Sequence, residues 1–207
     1  ACIPAAVLPP PIPLGDDGGR IEGGGLGVRA EMGSDCALER QDDGEWQEGC
    51  EAGLSGLYLL PGGFVSWRPR DRWEWGAFAA LGTGGRLGVA GFGRYYLVDG
   101  GRVRLGLQAD VGLLYSGVGL PVSAGLTDRV WIHTNPRIAS SLVWHVVNGV
   151  SYAQTDLPIG FDLKATDSLT FTLEGASVVP LGAGRFEGDW MGESHVVFVV
   201  TVVPPAP

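Results

Sequence analysis

Arg102-Val-Arg-Leu-Gly-Leu-Gln-Ala-Asp-Val-Gly-Leu-Leu-Tyr115 alternates along its whole length. One parity holds Arg102, Arg104, Gly106, Gln108, Asp110 and Gly112; the other holds Val103, Leu105, Leu107, Ala109, Val111, Leu113 and Tyr115. Successive side chains of a strand point to opposite faces, so this stretch has one polar and one wholly apolar face. At about 3.3 Å per residue it would cross a bilayer even when tilted by about 45°. Strands of water-soluble proteins are mostly about 5–6 residues long.

The pattern extends in both directions. Upstream, Arg86, Gly88, Ala90, Phe92 and Arg94 share one face, and Leu87, Val89, Gly91, Gly93, Tyr95 and Leu97 the other. Val98-Asp99-Gly100-Gly101 supplies the glycines of a tight hairpin turn between the two strands. Before these, Trp73, Trp75, Ala77, Ala79 and Leu81 alternate with Glu74, Gly76, Phe78, Ala80 and Gly82. Downstream, Leu120–Asp128 and Leu157–Asp167 echo one another, each an alternating segment that runs into a Thr-Asp turn. Leu169, Phe171 and Leu173 then oppose Thr170, Thr172 and Glu174. The pattern predicts about ten strands, at 20–32, 54–68, 72–82, 86–98, 102–116, 118–126, 129–137, 152–165, 169–178 and 194–203.

Composition agrees. The 207 residues include 35 Gly and 14 Pro, with 45% apolar but only 18% charged residues. Gly at this density opposes helix, and no apolar run reaches the roughly 18 residues of a membrane helix. The net charge is −9, and the absence of a basic stripe excludes nucleic acid as a partner. The expected fold is therefore all-β, an antiparallel transmembrane barrel. A closed barrel satisfies its backbone between strands, so it can stand in hydrocarbon without exposed edges.

Two features favour the membrane over a soluble, ligand-binding barrel with its apolar face inward. The polar parity carries Arg86, Arg94, Arg102, Arg104, Gln108, Asp110, Asp162, Lys164 and Glu174 among many glycines, a set expected to line a crowded lumen. Aromatics gather near strand ends, and Trp67, Trp73, Trp75, Tyr95, Tyr96 and Trp131 are expected at the membrane interface. In this pattern the chain resembles small bacterial outer-membrane β-barrel proteins as a class. The resemblance covers residues 20–203 and implies an outer-membrane location with lipid as the first partner. It departs from the class at the C-terminus, where the last strand runs on into Pro204-Pro-Ala-Pro207, so no aromatic residue ends the chain.

Residues 1–19 read as a Pro/Gly-rich periplasmic tether, 20–203 as the barrel and 204–207 as a short tail. Short turns at 68–71, 98–101, 127–128 and 166–168 are expected on the periplasmic side with both termini, and the longer connections at 33–50, 138–151 and 179–193 outside. Cys36 and Cys50 bracket an acidic segment and are expected to form a disulfide. Cys2 is a candidate lipidation site if Ala1 is absent from the mature chain.

No nucleotide, haem or zinc motif appears, and no cofactor, metal or catalytic residue is assigned. The acidic segment with Asp35, Glu39, Asp42, Asp43, Glu45 and Glu48 lacks the spaced pattern of a Ca²⁺ loop. His145 near Ser140, Ser141, Ser151 and Asp156 is the one hydrolase-like grouping, without a nucleophile motif. His133 is expected to be a lumen hydrogen-bonding residue. The leading expectation is a structural anchor that docks a protein partner through outer loops or the tether. The alternatives are a narrow channel for small solutes or ions, an outer-membrane hydrolase and a soluble ligand-binding barrel.

Overall fold

The computed structural model describes residues 10–12, 19–40, 46–70, 72–82, 86–112, 115–141, 152–181 and 193–202. Within these, side chains are described outside 29–60, 70, 81–82, 86–87, 141, 152, 179–180 and 193–195.

Twelve segments follow in order. They are β1 (Arg20–Arg40), β2 (Trp46–Arg70), β3 (Trp73–Gly82), β4 (Arg86–Asp99), β5 (Val103–Gly112), β6 (Tyr115–Gly119), β7 (Val122–Gly125), β8 (Val130–Thr134), β9 (Arg137–Ser141), β10 (Tyr152–Thr166), β11 (Leu169–Leu181) and β12 (Glu193–Val202). They form ten staves. β6 and β7 are one stave broken at Leu120-Pro121, and β8 and β9 are one broken at Asn135-Pro136. Proline has no N–H to give to a ladder, so both interruptions fall where the sequence removes a donor.

Every pairing is antiparallel. β5 pairs with both β6 and β7, and β10 with both β9 and β8. β10–β11, β11–β12 and β12–β1 complete the circle, the last from Glu22↔Val202 to Glu31↔Glu193. The barrel is thus closed. Arg20 and Val202 lie at the end that carries the short turns.

The two faces are sorted inside out. Val111 is 63% and Ile159 73% exposed, and Leu107, Val118, Leu157 and Leu173 also face outward. Arg94 and Asp162 are 0% exposed. A soluble barrel would reverse these positions. So broad an apolar outer surface needs lipid around it, and the soluble, ligand-binding alternative is set aside.

Three expectations need correction. The stave expected at 102–116 ends at Gly112; Arg102 lies in the preceding turn, and the next stave begins at Tyr115. The expected loop at 33–50 is largely strand, because β1 runs on to Arg40 and β2 begins at Trp46. There the backbone ladder continues although the residues no longer alternate in polarity. Pro10–Ile12, expected in a tether clear of the fold, are buried inside the barrel.

Candidate functional site

The barrel interior holds the buried charges. At the short-turn end Asp99 bridges two arginines, at 2.5 Å from Arg68 and 2.7 Å from Arg104. Tyr96 lies beneath both guanidinium groups, at 5.6 and 4.9 Å from its ring centre. Its hydroxyl donates to Glu74 at 2.9 Å, and Glu74 also meets Arg94 at 3.4 Å. Arg94 Nε donates to Gln108 Oε1 at 2.6 Å, and Asn135 donates to the same oxygen at 3.0 Å.

Two further groupings lie along the wall. Arg137 donates from Nε to Asp156 at 2.8 Å and from a second nitrogen to Asp110 at 3.2 Å, while Gln154 donates to the other Asp156 oxygen at 2.6 Å. His133 lies between two carboxylates, Nδ1 at 2.6 Å from Asp162 and Nε2 at 2.9 Å from Glu174. Thr172 donates to the remaining Asp162 oxygen at 2.5 Å. A neutral imidazole has one N–H, so both contacts are hydrogen bonds only if the ring or a carboxyl carries the additional proton. Buried charges persist only when paired in this way.

The glycines explain how such large groups fit. Phe64 faces Gly23, Phe92 faces Gly76, Asp110 faces Gly117, Trp131 faces Gly125 and His133 faces Gly160, each directly across the ladder. A Cβ at Gly160 would collide with the His133 ring, and one at Gly117 would stand 2.9 Å from an Asp110 oxygen. Each bare backbone patch is the seat of a neighbour's side chain.

The interior also has an apolar wall. Ile21, Phe64, Phe78, Phe92, Val197 and Val199 form its main part on β1–β4 and β12, and the same cluster continues through Tyr115, Trp131 and Ala139 on β6, β8 and β9. Ile12, from the N-terminal segment, belongs to it.

The structure places the expected lumen residues as follows. Arg94, Arg104, Gln108, Asp110, Asp162 and Glu174 are buried inside. Lys164 is half-buried, with its Nζ 5.6 Å from the Trp131 ring centre. Arg102 is not in the lumen; it pairs with Asp128 between exposed turns at 3.3 Å. The Arg86 side chain lies outside the described residues. Of the expected interface aromatics, Trp67 stacks on Trp75 at 4.7 Å and Trp73 meets Tyr95 at 4.8 Å, on the outer face near the short turns. Tyr96 and Trp131 are instead inside, 0% and 3% exposed. They follow the inward parity of their strands, which nearness to a turn does not reveal. Arg68, Glu74, Asp99, Arg137 and Asp156 complete the buried ion pairs; none of them is among the expected lumen residues, although the same parity rule finds Glu74 opposite Arg94.

Cys36 stands directly opposite Cys50 in the β1–β2 register; Cys2 lies outside the described residues. So does His145, and Asp156, the expected orienter of a hydrolase grouping, is engaged by Arg137.

No protein-family model matches this chain, and no curated protein sequence matches it. The solved structures it is similar to are bacterial outer-membrane barrels. They include the outer membrane protease OmpT of Escherichia coli, at 9% identity over 89% of this chain and 95% of that one, TM-score 0.46. An outer membrane channel of Pseudomonas putida F1 is 8% identical over 97% of this chain and 98% of that one, TM-score 0.49. The outer membrane protein OprG of Pseudomonas aeruginosa is 15% identical over 92% and 96%, TM-score 0.33. Identities and scores this low bring neither activity nor substrate to this chain.

Proposed function

We propose that this protein is an outer-membrane anchor with a closed lumen, which displays the β1–β2 ribbon to a partner. The seating of large inward side chains on glycines supports the closed lumen, because it fills the space that glycines would otherwise leave for a pore. Arg94, Tyr96 and Asp162 are 0% exposed, so no water-sized gap reaches them.

The ribbon supports the display role. Among the described residues, β2 pairs with β3 from Gly62 onward and β1 with β12 as far as Glu31. β1 and β2 continue to pair with each other from Met32↔Leu54 to Arg40↔Trp46, a ribbon of about 30 Å with which no other described strand pairs. Between Glu31 and Glu51 stand Glu31, Asp35, Glu39, Asp42, Asp43, Glu45, Glu48 and Glu51, against Arg40 as the one cation. Most of the chain's net charge of −9 is therefore carried here, and the partner it suits has a basic surface. The Cys36–Cys50 register supports a cross-link that would stiffen the ribbon. With the short turns and both termini on the periplasmic side, the ribbon faces outward.

The test is single-channel conductance of the full chain in a planar bilayer. Silence from a correctly inserted barrel is expected, and steady, reproducible steps would refute the closed lumen. A second reading, a narrow channel, is favoured by one observation: part of the filling is the chain segment Pro10–Ile12 and not the side chains of the staves.

A further inference from the structure

The stave that holds Pro10–Ile12 is the one farthest from where the barrel begins. Ser123 Oγ on β7 donates to the Pro11 carbonyl at 2.8 Å, and both groups are buried. Around the ring β7 is five staves from β1 in either direction. Pro11 precedes the start of β1 at Arg20 by nine residues, a reach of about 30 Å. Ten staves at a spacing of about 4.8 Å, tilted by about 40°, enclose a barrel about 20 Å across. A chain of this length can therefore cross the whole bore.

The segment is suited to that position. Pro10 and Pro11 have restricted backbones with little entropy left to lose on ordering, and they bring no N–H into the bore to be satisfied. Ile12 joins the apolar wall, 2% exposed. The fit is incomplete, however. The Ser66 and Thr201 hydroxyls and the Trp131 indole N–H are buried without a hydrogen-bond partner. Ser66 is paired with Ile21 and Thr201 with Gly23, near the start of β1. Buried polar groups left unpaired are costly. Water admitted to the bore would offer them partners.

We propose that Pro10–Ile12 form a releasable plug, seated between Ser123 and the apolar wall, whose withdrawal hydrates the bore and opens it to small ions. The inference rests on the closed-lumen reading and adds that closure depends on this segment.

The experiment compares three chains in planar bilayers in KCl, each shown to be folded by heat-modifiable gel mobility. They are the full chain, a full chain carrying Ile12→Asp, and a chain that begins at Gly19. The full chain is expected to be silent. Ile12→Asp is expected to open at least tenfold more often, and the shortened chain to conduct steadily until a peptide of residues 1–18 is added. A second measurement stands beside it in a background of Cys2→Ser, Cys36→Ser and Cys50→Ser. There, Ser123→Cys should be shielded from a small charged maleimide in the full chain and labelled at least tenfold faster in the shortened one. Steady conductance of the full chain would overturn the closed lumen itself. A silent full chain with an equally silent, folded shortened chain and unchanged labelling would overturn the plug alone, leaving the ion pairs as the seal.

Discussion

Arg137 is the residue whose loss best measures whether the barrel interior is dry. Its guanidinium joins Asp110 on β5 to Asp156 on β10, and both carboxylates are buried. At 3.2 Å the attraction between Arg137 and Asp110 is about 1 kcal/mol in water and about 5 kcal/mol at an effective dielectric of about 20. Replacement by Met keeps much of the volume but removes the shared cation. Two carboxylates, both hydrogen-bonded by glutamine amides, then remain in one site without a counter-charge. Breaking a buried pair in this way costs about 3–5 kcal/mol, whereas the same change in a wet pore would cost about 0–1 kcal/mol. The assay is reversible urea unfolding of the barrel in lipid vesicles, followed by tryptophan fluorescence and gel mobility. Arg137→Met is expected to lower stability by about 3–5 kcal/mol. Adding Asp110→Asn and Asp156→Asn should recover most of the loss, because a fully neutral site has no stranded charge. A loss below about 1 kcal/mol, or no recovery in the triple variant, would refute the reasoning.

Other outcomes follow from the same geometry. Gly160→Ala should displace His133 from between Asp162 and Glu174, lowering stability by about 1–3 kcal/mol in the same assay, and Gly160→Ala with His133→Ala should cost less than the two changes summed. In single-tryptophan variants, Trp73 and Trp75 should be quenched by brominated lipids while Trp131 is not, since the first two lie outward and the third inward. Thiol titration of the unreduced, unfolded chain should find Cys36 and Cys50 unreactive, their two protons and two electrons having passed to a disulfide-bearing oxidant of the envelope. Reactive thiols at both positions would refute the cross-link.

Much of the barrel was legible because one physical rule governs it. In a strand, parity decides which side a residue faces, and Val103 to Asp110 obeys it residue by residue. The same rule placed Arg94, Asp162 and Glu174 inside. It failed where a turn or a proline resets the count. Tyr115 has the apolar parity of its sequence neighbours yet faces inward, because it opens the next stave and not the end of β5. Arg102 has the polar parity yet stands before the strand begins. The extent of the β1–β2 ribbon was hidden for another reason. From Met32 to Arg40 the residues of β1 do not alternate in polarity although each pairs with β2, so the ladder is held by backbone pairing and leaves only a weak trace in the residues.

The glycines show why an interior cannot be read from composition. Counted by type, Gly160 and Gly117 suggest an open bore. Seen across the ladder, they are the only residues that let His133 and Asp110 lie flat against the neighbouring stave. A small residue on one strand and a large one opposite it fill the same volume as two of middling size, but they also fix the register. A slip by one residue would set His133 against Ile159 or Phe161 and turn its imidazole toward lipid. The ion pairs then act on a register already chosen. Arg94 reaches Glu74 and Gln108, and Arg137 reaches Asp110 and Asp156, each joining inward residues of neighbouring or next-but-one staves. Closure and register thus have one cause. A variant that enlarged the bore by truncating His133 would also loosen the pairing of β8 with β10, so an open channel is more readily reached by moving the chain segment that belongs to no stave.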